Sequence, residues 1–530
     1  MIWGWLLLLL PIVGGVFIVG SSAKAARSIA LLATLATFGA SIAAAFEFGV
    51  WGTGEYGLQS TVEWLPEVGI NLSIGADSVA MLLILLTTFL MPLAVLGSWT
   101  AVGERLKEYY GWLLLIETAM IGVFLARDLV FFYICFEFTL VPMYFLIAIY
   151  GGSGRARACV KFFLYTFTGS LLALVGFLYV AWCYAETHGS WTFQISTLCE
   201  FAAGTFTLSQ QLWVLTALVI GFAVKIPLFP LHTWLPLAHT EAPTAGSVIL
   251  AGVLLKLGTY GIYRFVLPMT PDAVVEWAPI LGILAIVGIL YAGLICWVQT
   301  DVKKLVAYSS VSHLGFCVLG LFALNPLGLQ GSVLYMINHG LSTGGLFFLV
   351  GMMYERYHTR DMDTVGGLAK RMPVWAFFMV FFVLASVGLP GLNGFVSEFL
   401  CLLGTFAAGD SGSYPGVYGP WFAAFAALGM IVAAMYLLIM VGKIVFGALK
   451  EPAVDDHHGL PADLSAREIT VLVPIAVMCV VLGVQPWIAM DAMEGSINET
   501  LAAYPGIVKD AIQQVADSGT RLLVTVDVPE

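Results

Sequence analysis

Charge is what this sequence has least of. Its 530 residues hold only 22 lysines and arginines and 33 aspartates and glutamates, and 60% of the chain is hydrophobic. A soluble globule is about a quarter charged, so the balance excludes one and leaves a polytopic membrane protein. The net charge of −11 does not point to nucleic acid, because the acids fall mostly in loops and tail. Cysteine lacks any pattern: the eight, at 135, 159, 183, 199, 296, 317, 401 and 479, stand singly, with no CxxC pair or His/Cys cluster. An iron–sulfur centre, a zinc site and a disulfide framework are therefore not expected. There is also no GxGxxG, P-loop or flavin signature, so no cofactor is expected in this chain. The N-terminal MIWGWLLLLLPIVGGVFIVG lacks a basic n-region and a small-residue cleavage site, and reads as a retained span.

What is there is long apolar runs. A bilayer core needs about 20 apolar residues per helix. That ruler fits near 2–20, 28–50, 77–100, 110–126, 129–150, 160–184, 212–236, 244–267, 275–298, 303–324, 329–354, 373–405, 420–448 and 467–488. The expected fold is all-α, with about fourteen transmembrane helices. With the N-terminus outside, sixteen of the 22 basic residues, Lys303 and Lys304 among them, fall in inner loops, as the positive-inside rule requires. An even number of spans returns the acidic C-terminus to the outer side. The expected location is a bacterial-style inner membrane.

Four charges do not fit a lipid-spanning helix: Lys225, Lys256, Glu137 and Glu398 each interrupt an apolar run. A charge at membrane depth costs roughly 2.5–3.5 kcal/mol on insertion scales and marks a functional position. His313 and His339 lie at similar depth in adjacent spans, where an imidazole can pass a proton between its two nitrogens. Glu117 is a second-rank acid. His232 and His239 flank a broken span as candidates for an inner entrance. The structural alternatives are an ion pair that only clamps two helices, a hydrogen-bonded core acid, and satisfied core histidines. The DDHH run at 455–458 reads as a solvated loop rather than a metal site.

Two spans are broken. Prolines 227, 230 and 236 follow Lys225, and GLPGLNG at 388–394 precedes Glu398; both must unwind the helix. Non-helical backbone at membrane depth is tolerated where it lines a cavity, and paired breaks point to an internally repeated transporter. Glu137 to Lys225 is 88 residues and His313 to Glu398 is 85. The expected organisation is a three-helix segment (1–100), a five-helix repeat (110–267), a second, inverted repeat (275–448), and a C-terminal helix with an outer tail (467–530).

The stretch KIPLFPLHTWLPLAHTEAPTAGSVILAGVLLKLGTYG (225–261), with DVKKLVAYSSVSHLGF (301–316) and MINHGLSTGGLFFLVG (336–351), closely resembles the antiporter-like membrane subunits of respiratory complex I. Glu398 resembles the M type (mitochondrial subunit 4 type), since the L and N types tend to carry lysine there. One departure is Leu237, where the family often has aspartate.

The resemblance implies a proton-translocating subunit of an NADH-quinone oxidoreductase. In the family the acid matching Glu137 pairs with the lysine matching Lys225, the lysine matching Lys256 lies at the centre of a hydrated axis, and that axis runs on to the acid matching Glu398. NADH, flavin, iron–sulfur clusters and quinone are expected in partner subunits, and L-type and N-type subunits among the neighbours. A desolvated ammonium is made less basic by burial and more basic by a nearby carboxylate, so moving the carboxylate captures or releases a proton. A subunit of a cation/proton antiporter or membrane-bound hydrogenase, and a scaffold with purely structural charges, are the alternatives.

Overall fold

In hydrocarbon every backbone N–H and C=O must find a partner within the chain, so long apolar runs close into helices. The computed structural model describes residues 2–50, 57–409, 415–452 and 462–504. The chain begins with α1 (Ile2–Gly20) and α2 (Ala23–Phe48), followed by a hairpin of β1 (Gly57–Leu65) and β2 (Ile70–Ala76). Next come α3 (Ser78–Gly97), α4 (Leu106–Leu125), α5 (Leu129–Phe138), α6 (Leu140–Tyr150), α7 (Arg155–His188), α8 (Ile195–Thr205), α9 (Leu208–Lys225) and α10 (Leu235–Glu241). Then α11 (Thr244–Ile249), α12 (Lys256–Gly261) and α13 (Leu267–Met269) form one continuous rod joined by two wide π-helical turns. The remainder is α14 (Pro271–Trp297), α15 (Val302–Leu321), α16 (Pro326–Tyr357), α17 (Pro373–Val387), α18 (Asn393–Ala407), α19 (Pro420–Ile444), α20 (Ala466–Val484) and α21 (Trp487–Leu501).

Among the described residues 13 helical stretches are long and apolar enough to cross a membrane. The shorter α17 and α18, in tandem, fill the remaining expected span near 373–405. The α11–α13 rod and α16 are buried throughout the windows that would cross the membrane and form the centre of the bundle. By contrast α1, α2, α7 and α19 leave broad apolar faces open.

Three features differ from expectation. The segment between α2 and α3 contains the antiparallel β1–β2 hairpin, so the chain is not purely helical. Arg127 donates its backbone N–H to Ser73 O (2.9 Å), which ties the tight α4–α5 turn to β2. A second C-terminal helix, α21, packs back on α3 and α16 where a tail was expected. Lys303, assigned to an inner loop, is buried at the start of α15. The DDHH run at 455–458 lies outside the described residues.

One end of the bundle is knitted by basic side chains. Arg27 donates to Val102 O (2.8 Å), Lys107 to Val19 O (3.1 Å), Arg467 to Leu96 O (3.0 Å) and Arg360 to Thr240 O (2.6 Å). There Arg371 also grips Glu451 with two contacts of 3.1 Å. The opposite end carries the hairpin, α8 and α21.

Candidate functional site

The α9 helix stops at Lys225 because Pro227 and Pro230 cannot donate to the next turn. The loosened backbone is caught by other donors: Leu228 N–H bonds Ala223 O (2.8 Å) and the Trp234 indole bonds Val224 O (2.8 Å). Lys225 is thus held at the end of a helix with its side chain inside the bundle, 4% exposed. Its ammonium donates to Thr139 Oγ1 (3.1 Å) and sits 4.9 Å from the centre of the Phe136 ring. Thr139 is the joint between α5 and α6, where Pro142 deprives Phe138 O of its usual helical donor.

Glu137 stands two residues before that joint, half-buried, with Oε1 unpartnered. No ion pair within 4.0 Å joins it to Lys225, although each feels the other's charge. The direct pair implied by the resemblance is therefore open here, and Thr139 holds the ammonium instead.

Lys256 is completely buried between the two π-helical turns. In the first turn Leu255 N–H reaches Leu250 O, five residues back (3.2 Å), instead of Ala251 O. The Ala251 carbonyl accepts from the Lys256 ammonium instead. A second contact, 2.8 Å, joins that ammonium to His339 Nδ1 on α16. The α9 and α12 backbones approach closely because residue 258 is glycine: a Cβ there would stand 2.9 Å from both Ile226 N and Phe222 O.

From His339 the polar row continues. The His339 and His313 ring centres are 5.9 Å apart, and His313 Nδ1 lies 2.6 Å from the Tyr335 hydroxyl. The Tyr335 hydroxyl donates to Glu398 Oε1, and His313 Nδ1 is itself 3.3 Å from that oxygen. On the far side of the ring, His313 Nε2 is 3.4 Å from the Tyr436 hydroxyl. The resulting row, Lys256, His339, His313, Tyr335 and Glu398, crosses from the α11–α13 rod through α16 and α15 to α18 without leaving the interior.

Glu398 is positioned by the second break. Gly388 ends α17 at φ +83°, a left-handed conformation that glycine adopts freely, and a Cβ there would lie 2.7 Å from Glu398 Oε2. The start of α18 is stitched to α16 by reciprocal amides: Asn338 Nδ2 donates to Asn393 O (2.7 Å) and Asn393 Nδ2 to Asn338 O (3.1 Å).

The second-rank residues scatter. His239 is fully buried, stacks on Phe347 with centres 4.7 Å apart, and has no partner at either ring nitrogen. His232 packs between Phe229 and Tyr291 in the stretch after Lys225. Glu117 is alone inside α4, with both carboxyl oxygens unpartnered. Tyr335 was not among the sequence candidates, and Gly388 was expected only as part of the 388–394 break. The SVSH and MINH contexts were the available signal for Tyr335, since Tyr335 lies four residues before His339 and so on its face of a helix. Among the described residues no group of three or more His, Cys, Asp or Glu side chains could hold a metal ion.

Comparison with known proteins now adds to the geometry. Residues 126–412 match the family model described as "NADH:quinone oxidoreductase/Mrp antiporter, TM". The chain is 41% identical over 483 residues to NADH-quinone oxidoreductase subunit M of Rhodobacter capsulatus, covering 90% of this chain and 91% of that protein. It is 38% identical over 496 residues to NADH-ubiquinone oxidoreductase chain 4 of Arabidopsis thaliana, covering 93% and 95%. A chain of respiratory complex I from Thermus thermophilus with bound NADH superposes at TM-score 0.80 with 30% identity, covering 94% of this chain and 100% of that one. A chain of the Mrp complex from Dietzia shares the fold at TM-score 0.79 with 20% identity, covering 96% of this chain and 99% of that one. The buried ammonium–imidazole–carboxyl row therefore stands in a chain that belongs to the NADH:quinone oxidoreductase/Mrp antiporter transmembrane family, as an antiporter-like complex I subunit of the M type.

Proposed function

We propose that this chain translocates protons as a membrane subunit of an NADH-quinone oxidoreductase, with Glu137, Lys225, Lys256, His339, His313 and Glu398 on the proton path. The observation that carries this reading is the buried row from Lys256 to Glu398. Every neighbour in it can donate or accept a proton, and the wider ring-to-ring gap between His339 and His313 is of a size that one water spans. Such a row has no purpose in a scaffold, because hydrophobic side chains of the same volume are often as stabilising as a buried ionic network.

Lys225, resting on Thr139 and not on Glu137, is the switch. When Glu137 approaches, the ammonium is held charged; when it withdraws, the proton moves towards Lys256. One charge moved against 100 mV takes about 2.3 kcal/mol. A change of two pKa units in an ammonium corresponds to about 2.7 kcal/mol, so one rearrangement per proton is sufficient. Electron transfer, with NADH, flavin, iron–sulfur clusters and quinone, belongs to partner subunits. Glu137 stands half-buried beside exposed Ile134 and Phe138, so its face suits cover by a neighbouring membrane-arm subunit of L or N type. The basic end of the bundle faces inward under the positive-inside rule, with both termini outside and two inverted repeats in between. Identity with M-type relatives along nearly the whole chain favours this reading over an antiporter or hydrogenase subunit.

The test is single replacement of Lys256 by Met and Glu398 by Gln in the assembled complex, reconstituted in vesicles. NADH-driven proton uptake should fall about tenfold or more while subunit composition stays intact. A variant that assembles and pumps at the native rate overturns the proposal.

A further inference from the structure

The joint between α10 and α11 is held at three successive carbonyls by three different donors. Arg360 Nη1 takes Thr240 O (2.6 Å), the Gly152 backbone N–H takes Glu241 O (3.0 Å), and Lys303 Nζ takes Ala242 O (2.5 Å). Arginine stays protonated in proteins and a backbone amide does not exchange its proton in a relay, so of the three only Lys303 can release one. The positive-inside rule accounts for a lysine in an exposed inner loop. It does not account for this one, which is 7% exposed.

The charged groups around Lys303 are Arg360, Asp301 and Glu241. Three residues before Ala242 stands His239, which feels the charge of both Lys303 and Lys256 and is felt in turn by His339. Its ring is pinned against Phe347, fully buried, and both nitrogens are open. A buried donor and acceptor left without partners are costly to hold away from water. That cost is removed if water bridges each nitrogen to an ammonium on its own side.

We infer that Lys303 is a proton-transferring residue at the inner end of the path, passing its proton through His239 to Lys256. The inference rests on the proton-translocation reading above. In the step, an N–H bond of the Lys303 ammonium breaks and an N–H bond forms on one nitrogen of His239 through a bridging water, so the positive charge moves to the imidazole. The other nitrogen then releases its proton towards the neutral Lys256 amine, where a new N–H bond forms. Lys303 is reloaded from the inner aqueous side, where Glu241 is half-exposed and bonds Gly154 N–H (2.9 Å).

Lys303→Arg separates a relay from a clamp, because arginine keeps the charge and the donor to Ala242 O but does not give up a proton. Assembled complex carrying Lys303→Arg, Lys303→Gln or, as a control, Lys256→Met is reconstituted and NADH-driven proton uptake is measured. The expected result is a loss of about tenfold or more with both Lys303 variants. Native uptake with Lys303→Arg, whatever Lys303→Gln does, makes Lys303 a clamp and overturns the inference. If Lys303→Gln fails to assemble, Lys303→Arg alone decides. Native uptake in the Lys256→Met control sinks the proton-path reading itself, a separate failure.

Discussion

Tyr335→Phe is the sharpest cut available, because it removes one oxygen atom and nothing else. The phenol donates to Glu398 Oε1 and so must accept from His313 Nδ1, 2.6 Å away. The two bonds together form a directional wire from imidazole to carboxylate. A hydrogen bond involving a charged group contributes about 1.5–3 kcal/mol net. The substitution deletes two such bonds but leaves His313 Nδ1 3.3 Å from Glu398 Oε1, able to close on it directly. The net loss is then one bond, and at 1.36 kcal/mol per factor of ten it slows proton passage by about ten- to a hundredfold. The phenyl ring still fills its site, so the subunit should assemble. In reconstituted complex the assay is dye-reported acidification set against quinone reduction in the same vesicles. Tyr436→Phe is the internal control, since its contact with His313 Nε2 is long at 3.4 Å and should matter much less. An assembled Tyr335→Phe variant that pumps at the native rate, or one no worse than Tyr436→Phe, refutes the wire.

Two further outcomes follow from other parts of the fold. Gly388→Ala forces a left-handed alanine, costing about 1–2 kcal/mol, and sets its Cβ 2.7 Å from Glu398 Oε2; pumping should drop while a nearby Gly391→Ala, where a Cβ meets open space at a similarly positive φ, separates backbone strain from the clash. At the basic end, the hydrogen bonds from Arg371 hold the Glu451 carboxyl below its ordinary value. Its stabilisation is therefore present above the unfolded carboxylate pKa of about 4.3 and lost as pH falls through the lower folded value. Glu451→Gln should flatten the acid limb of a thermal-stability profile, and an unchanged limb refutes the pair's role.

The transmembrane helices were legible because hydrocarbon permits so few backbone solutions, and the four intramembrane charges because each is costly where it stands. Both proline- and glycine-marked breaks were legible for the same local reason. The π-helical turns around Lys256 were not, since a five-residue hydrogen-bond step uses the same apolar residues as a four-residue one and leaves no trace in the pattern. Tyr335 in GSVLYMINHG reads as packing until His313 and Glu398, 22 and 63 residues away in sequence, are brought to its hydroxyl. The hairpin went unread because the segment is too short and too polar to span a bilayer, although Thr61 to Leu65 alternates in the manner of a strand. The burial of Lys303 was not legible, because counting basic residues by loop speaks to their side of the membrane and says nothing of what packs over them.

The two halves of the site differ in a way that bears on direction. Beyond Lys256 each polar group touches the next or is one ring away, so a proton that reaches His339 has a path to Glu398. Before Lys256 the polar contacts stop: Lys225 is engaged by Thr139 and the Phe136 ring, and its helix meets the rod through close backbone and apolar packing at Gly258, Gly261 and Phe265. On the proposed reading, control belongs at the Glu137–Lys225 joint, where no direct ion pair forms and Glu137 is half-buried, and the row to Glu398 acts as a standing conductor. A neighbour that shifts Glu137 changes the charge on Lys225 without needing to move the central helices, which are buried and closely packed and resist displacement.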